Sequence, residues 1–231
     1  MSEPVYFESK VLEIRDFGPT YTFLSLKVPT NFTYLPGQYT YIVFNDEEGE
    51  YRAYYSIASS PNENRNLEFC ITKSDNPRQR RFYNHLKEGT PITLGAPASG
   101  NLAKAQIGNN VIAIAGGSGI APIRSILAPL IKSKTNGKLS LIYGCRHGDE
   151  RPFHLEIDSW AQNQALFSYH TCSDSPGKTS THKGKVTDLL PEVVDANADY
   201  LLCGPKPMLS AIEEALAKAG IDKSKIHYDG F

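Results

Sequence analysis

Residues Ile114-Ala115-Gly116-Gly117-Ser118-Gly119-Ile120-Ala121-Pro122 carry an apolar strand into a helix start through three glycines and a serine. Few backbones accommodate such a junction. Glycine positions let main-chain N–H groups approach an anion closely, and the helix that follows presents its positive end there, so the turn suits a pyrophosphate. A tight strand–helix connection with no ligand can be written with the same residues, so the assignment needs further support.

Composition narrows the remaining classes. With 231 residues, of which 40% are hydrophobic, the chain can bury one or two ordinary cores without disulfides or metals. A net charge of −1, with both halves close to neutral, gives no electrostatic footprint for nucleic acid. Met1 to Tyr6 has no basic segment followed by an apolar run, and no apolar stretch is long enough for a bilayer span. The expectation is a cytoplasmic protein with no membrane partner. Cys70, Cys145, Cys172 and Cys203 are too scattered for an iron–sulfur centre and read as reduced thiols.

Two rhythms divide the chain. Up to about residue 100, short apolar or aromatic runs (Tyr6 to Ile14, Tyr21 to Lys27, Tyr39 to Phe44, Tyr54 to Ala58, Leu67 to Lys73, Pro91 to Leu94) are punctuated by turn residues, with one helix near Gln79 to Lys87. From Asn110 onward, nearly continuous apolar strands (Val111 to Ala115, Leu139 to Gly144, Phe167 to Cys172, Tyr200 to Cys203) alternate with helices near Ala121 to Ser133, Phe153 to Asn163 and Lys206 to Ala219. The expected fold class is therefore an N-terminal antiparallel β-barrel with one helix, residues 1–105, followed by a C-terminal α/β parallel-sheet nucleotide-binding domain, residues 106–231.

Several residue types in this frame carry chemistry. Tyr54 and Tyr55 beside the hydroxyl of Ser56 offer an aromatic platform and an edge hydrogen bond to a flat heterocycle, although core packing of two tyrosines would read the same way. Cys203-Gly204-Pro205 follows a buried strand, at the edge where open parallel sheets present ligands. The six histidines lack metal-ligand spacing, so no metal site is expected.

Pro36-Gly37-Gln38-Tyr39, Tyr55-Ser56-Ile57-Ala58-Ser59, the Gly116 loop and Cys203-Gly204-Pro205-Lys206-Pro207-Met208 occur in an order that resembles the ferredoxin-NADP reductase superfamily, and most closely in style its oxygenase-type flavin reductases. The resemblance extends over essentially the whole chain. It implies a flavoprotein oxidoreductase that takes a hydride from NADH or NADPH onto FAD, less readily FMN, and passes electrons to a ferredoxin, a flavodoxin, an oxygenase component or a small acceptor. Tyr54, Tyr55 and Ile71 would contact the flavin, with Tyr55 packing on the ring and Ser56 bonding near its N5. Gly116, Gly117, Ser118, Gly119, Gly204 and Pro205 would hold the dinucleotide. Cys203 would lie against the reacting carbon of the nicotinamide, shaping the site without covalent attachment.

The chain departs from the family pattern in one place. An arginine that pairs with the flavin phosphate is expected three residues before Ser56, where Ala53 stands, with Arg52 one residue earlier. Either a β-bulge restores Arg52, or a cation near the helix start, among Lys73, Arg78, Arg80 and Arg81, replaces it, with Arg80 and Arg81 together the expected pair. The ending Tyr228-Asp229-Gly230-Phe231 resembles tails of the oxygenase-reductase branch, so Asp229 and Phe231 would cover the flavin unless the terminus frays. Ser173-Asp174 stands where NADPH-preferring members place serine and arginine, which tilts the expectation to NADH, while Arg146, Lys178 and Lys183 pull toward NADPH. A non-catalytic flavin- or nucleotide-binding sensor or assembly subunit, and a free-flavin or ferric reductase, are the competing readings.

Overall fold

The computed structural model describes residues 5–61, 66–133, 136–178 and 182–230. In the first half, β1 (Val5–Phe17), β2 (Tyr21–Lys27), β3 (Tyr39–Asp46), β4 (Gly49–Ser56), β5 (Asn66–Thr72) and β6 (Pro91–Ser99) form one antiparallel sheet in the order β4-β3-β6-β1-β2-β5. The sheet curls until its two edge strands approach each other. An isolated bridge between Ile57 and Phe69 and the Ala58 N–H donating to the Glu68 carbonyl at 2.7 Å join them. Alternating inward residues of these strands, among them Leu24, Leu26, Ile42, Phe69 and Leu94, make a fully buried interior. The single helix, α1 (Pro77–His85), begins with proline after an Asn76 cap and closes one end by burying Phe82 against Phe44, Tyr51 and Tyr55.

The second half is built from β7 (Val111–Gly116), α2 (Ile120–Lys132), β8 (Leu139–His147), α3 (His154–Asn163), β9 (Phe167–Ser175), β10 (His182–Lys183), α4 (Val186–Leu189), β11 (Asp199–Gly204), α5 (Lys206–Lys218) and β12 (Ile226–Gly230). Its six strands are all parallel, in the order β10-β9-β8-β7-β11-β12. Every residue of β7 and β11 is buried, because helices cover both faces of the sheet: Ala113, Leu141 and Leu201 pack with α2 and α3, while Ile112, Ile114 and Leu202 pack with α4 and α5. The core under α2 and α3 also takes in Tyr21, Phe23, Ala58 and Cys70 of the antiparallel half, so the two halves share one apolar interior.

Elements placed from periodicity appear with small shifts, and the misses are instructive. β10 and α4 were not anticipated, being too short to show a period. The tail is held as a strand: residues 226–230 pair in parallel with β11, setting Asp229 beside Cys203. Phe231 lies outside the described residues.

Candidate active site

A cavity of about 700 Å³ opens between the halves. Tyr54, Tyr55 and Ser56 reach it from β4, Tyr39 from β3, Cys70 and Thr72 from β5, Gln79 from α1, Ser118 from the glycine loop, and Cys203, Tyr228 and Asp229 from the parallel sheet. Among the described residues nothing bonds the Ser56 hydroxyl, which leaves it available to a ligand. Burial pushes the Cys203 thiol up to about 12, with Asp229 adding to the shift, so it stays protonated at neutral pH. The Asp229 carboxylate accepts the backbone N–H groups of Asn101 and Leu102, each at 3.0 Å.

A second cavity, of about 690 Å³, follows the carboxyl edge of the parallel sheet. Gly116, Gly117, Ser118, Pro205, Arg146, Asp174 and Lys73 line it, as does Lys185, which takes the place expected for Lys178 and Lys183. The glycine loop is shaped by two requirements. Gly117 has φ +56, and a side chain on Gly119 would come within 2.3 Å of the Cys203 carbonyl. Gly119 and Gly204 thus press the loop onto β11 and do not line the cavity themselves. Thr72 and Ser118 belong to both cavities and meet through a 3.0 Å hydrogen bond between their hydroxyls, so the two cavities share one wall.

Two adjoining cavities with a common wall could each hold one flat cofactor. The volumes lie in the ordinary range for cofactor clefts, one walled by tyrosines and the other by glycines and small residues. Residues 113–214 match the family model described as "Oxidoreductase NAD-binding domain". The toluate 1,2-dioxygenase electron transfer component of Pseudomonas putida is 26% identical over 230 residues, covering 97% of this chain and 67% of that protein. The flavohem-like FAD/NAD binding domain of nitric oxide dioxygenase from Vibrio cholerae superposes with TM-score 0.83 at 25% identity, over 97% of this chain and 98% of that one. A ferredoxin NADP+ reductase from Neisseria gonorrhoeae, solved with bound FAD and NADP, superposes with TM-score 0.84 at 19% identity, over 97% and 98% of the two chains. The chain has the fold of the ferredoxin NADP+ reductases and is similar in sequence to reductase components of oxygenases. It spans about two thirds of the length of the curated relatives matched first.

Within this reductase fold, several expected site residues stand elsewhere. Tyr55 lines the cavity while its ring stacks at 17° on Phe82 and its hydroxyl meets that of Tyr51 at 3.0 Å. Tyr54 is the ring on offer, 65% exposed on the opposite face of β4. β4 pairs with β3 without a register shift, so no bulge exists to turn Arg52. None is needed, because Arg52, Tyr54 and Ser56 alternate onto the same outer face. There the Arg52 guanidinium lies 5.1 Å above the Tyr41 ring, 2.9 Å from the Tyr6 hydroxyl and 3.0 Å from the Glu50 carboxylate. Arg78 reaches the same corner by donating to the Glu50 carbonyl at 2.5 Å.

The proposed substitutes for Arg52 do not converge. Arg80 pairs with Asp75 at 2.6 Å and lines a separate hollow beside Lys73, while Arg81 pairs with Glu48. Adjacent positions on a helix diverge by about 100°, so these two arginines serve different faces. Lys73 itself is tied to Asp16 at 2.8 Å and lines the second cavity instead of the first. Ile71 is buried in the barrel core, and Ser173 lies wholly inside the parallel sheet with no exposed surface.

Sequence reasoning also missed Thr72, Gln79, Asn101 and the segment 184–187, all of which line one cavity or the other. Only Gln79 carried a readable signal, as the first residue of the expected helix.

Proposed function

We propose that this chain is a flavoprotein reductase that moves a hydride from a reduced nicotinamide in the second cavity to FAD in the first, and then delivers electrons to a separate carrier or oxygenase component. The observation that carries the reading is the shared wall at Thr72 and Ser118, with Ser56 and Cys203 both lining the first cavity beside it. The name of one relative, the electron transfer component of toluate 1,2-dioxygenase, supports delivery to an oxygenase component.

When bound, the flavin supplies two-electron acceptance and stepwise release. The chain supplies position. Tyr54 gives the ring a face to lie on, and the free Ser56 hydroxyl gives its edge a hydrogen-bond partner. Arg52, with Arg78 and the start of α1, places positive charge for the phosphate along the same face of β4. Across the seam, the glycine loop and the start of α2 hold the dinucleotide pyrophosphate. Cys203, neutral and buried, packs where the nicotinamide meets the flavin and keeps water away. Asp229 accepts two backbone N–H groups and orients the tail strand beside the first cavity. Asp174, in the second cavity, disfavours a 2′-phosphate, which supports NADH as the donor, against Arg146 and Lys185. Among the described residues no helix is long and apolar enough to cross a membrane, which is compatible with the cytoplasmic location we propose.

Anaerobic mixing of flavin-loaded protein with NADH or NADPH tests the reading. Bleaching of the flavin absorbance, followed by recovery on adding ferredoxin, flavodoxin, free flavin or a ferric chelate, is the expected course. An unchanged spectrum with both nucleotides would return the chain to the class of non-catalytic nucleotide-binding modules.

A further inference from the structure

Arg124, in the second turn of α2, is the most heavily engaged cation in the described structure and touches neither of the two cofactor cavities. Its side chain is only 13% exposed. Nη1 donates to the Glu68 carboxylate at 2.5 Å and to the Ala58 carbonyl at 3.0 Å, both in the antiparallel half. Nε donates to Glu156 of α3 at 2.6 Å, and the guanidinium carbon lies 4.3 Å above the Phe153 ring. Burying an arginine between two carboxylates seldom raises stability over an apolar replacement, so this cluster calls for another reason.

The positions it joins supply one. Ala58 lies two residues beyond Ser56, and its N–H donates to the carbonyl of Glu68, whose side chain Arg124 also holds. Arg124 therefore grips the closure of the barrel two residues beyond Ser56. At the other end, α2 continues directly from the glycine loop, so a helical run of fewer than two turns connects Arg124 to Ser118. Ser125 repeats the grip, its hydroxyl donating to the Ser59 carbonyl at 2.7 Å and accepting the Gly37 N–H at 3.3 Å.

Phe153 adds a second sign that this seam is under constraint. It holds φ 60, ψ 15, a left-handed backbone costly for a bulky residue, while its ring meets Phe17 and Phe23 of the barrel at 5.1 and 6.2 Å. The surrounding packing sustains that conformation.

We propose that Arg124, seated on Phe153 between Glu68 and Glu156, is a positioning residue that fixes the separation of the two cofactor cavities, and hence the hydride-transfer distance. The inference rests on the reading of the two cavities as flavin and nicotinamide sites. Its effect falls on the transfer step more than on binding, since the groups assigned to each cofactor's phosphate, Arg52 with Arg78 on one side and the glycine loop on the other, each lie within one half. Misplacement by about an ångström can cost on the order of a hundredfold in rate.

The test uses flavin-loaded full-length protein and the variants Arg124→Ala, Arg124→Lys and Glu156→Gln. In Arg124→Ala, the limiting rate of flavin reduction should fall by roughly a hundredfold per bound flavin, while flavin content and the nucleotide dissociation constant stay within twofold. Arg124→Lys should lose about tenfold, because an ammonium cannot span three acceptors. Hydrogen exchange at the Ala58 to Ser60 amides should accelerate in step with the rate loss, a readout independent of turnover. Should Arg124→Ala not fold, Glu156→Gln removes one charge partner with little change of shape and should give an intermediate loss. A reduction rate per bound flavin within twofold of the parent in whichever variants fold, or a loss that only follows flavin content, overturns the proposal. Failure of the parent protein to be reduced by either nucleotide counts instead against the functional reading.

Discussion

The carboxylate of Asp229 receives the backbone N–H of Leu102 at 3.0 Å, across 127 positions of sequence. With the Asn101 N–H on its other oxygen, Asp229 caps the turn that follows β6 and fastens the edge strand β12 to the exit of the barrel. Replacing it by alanine leaves two N–H groups without their acceptor, each worth about 1.5 to 3 kcal/mol when bonded to a charged group. Asp229→Ala should lower the unfolding midpoint by several degrees and raise exchange at residues 226–230, while Asp229→Asn recovers part of both. Calorimetry and amide exchange check this, and unchanged exchange in the tail would sink the capping role.

Arg52, and not Arg80 with Arg81, should govern flavin retention, because it alone of the three shares the face of Tyr54 and Ser56. Losing one charge-assisted contact to a phosphate weakens binding by about ten- to a hundredfold. Fluorescence titration of the apoprotein should show that loss in Arg52→Ala and near-parent affinity in the Arg80→Ala, Arg81→Ala double variant. The reverse ranking would restore the helix-start assignment.

Cys203→Ala should slow flavin reduction by up to about a hundredfold at constant flavin content, since the thiol fills the wall behind the nicotinamide contact. Stopped-flow absorbance under single-turnover conditions provides the measurement. Equal rates in the two proteins would leave Cys203 as a packing residue of β11.

The same thiol sets a pH expectation. Burial raises its folded pKa to about 12 from an ordinary 9, so the neutral form is favoured in the folded state. The corresponding stability is fully present below pH 9 and is lost as pH climbs from 9 towards 12. Between pH 6 and 8, Cys203 should therefore contribute no slope to stability or to reduction rate. Cys145, partly exposed and raised only to about 11, should be the first thiol to react with iodoacetamide at pH 8. Mass mapping of the adducts distinguishes the two, and prior modification of Cys203 would contradict its burial.

Asp174→Arg should shift the ratio of NADH to NADPH efficiency toward NADPH by at least tenfold, since opposite charges near a protein surface interact by about 4 kcal/mol at 4 Å. Parallel reduction assays at matched concentrations decide it. A ratio indifferent to the substitution would mean that Asp174 does not face the ribose.

Much of this protein is local in origin and was therefore legible. Continuous apolar runs such as Val111 to Ala115 announce strands covered on both faces, and the Gly116 loop announces its turn by chemistry alone. The order of motifs along the chain was enough to place Ser56, Asp174 and Cys203 in the right halves. Facing and docking were not legible. Tyr54 and Tyr55 are alike in composition, and a strand's two faces differ by a single residue of register, so only the pairing of β4 with β3 determined that Tyr54 and Arg52 look outward together. β12 lacks an apolar run because it is an edge strand, half solvated, and took its place only through β11 and the Leu102 turn. Arg124 reads from sequence as an ordinary helix-surface cation. It became a buried junction when α2, α3 and the barrel closed around it, because the carboxylates that offset its desolvation, Glu68 and Glu156, come from segments 56 residues before it and 32 after it.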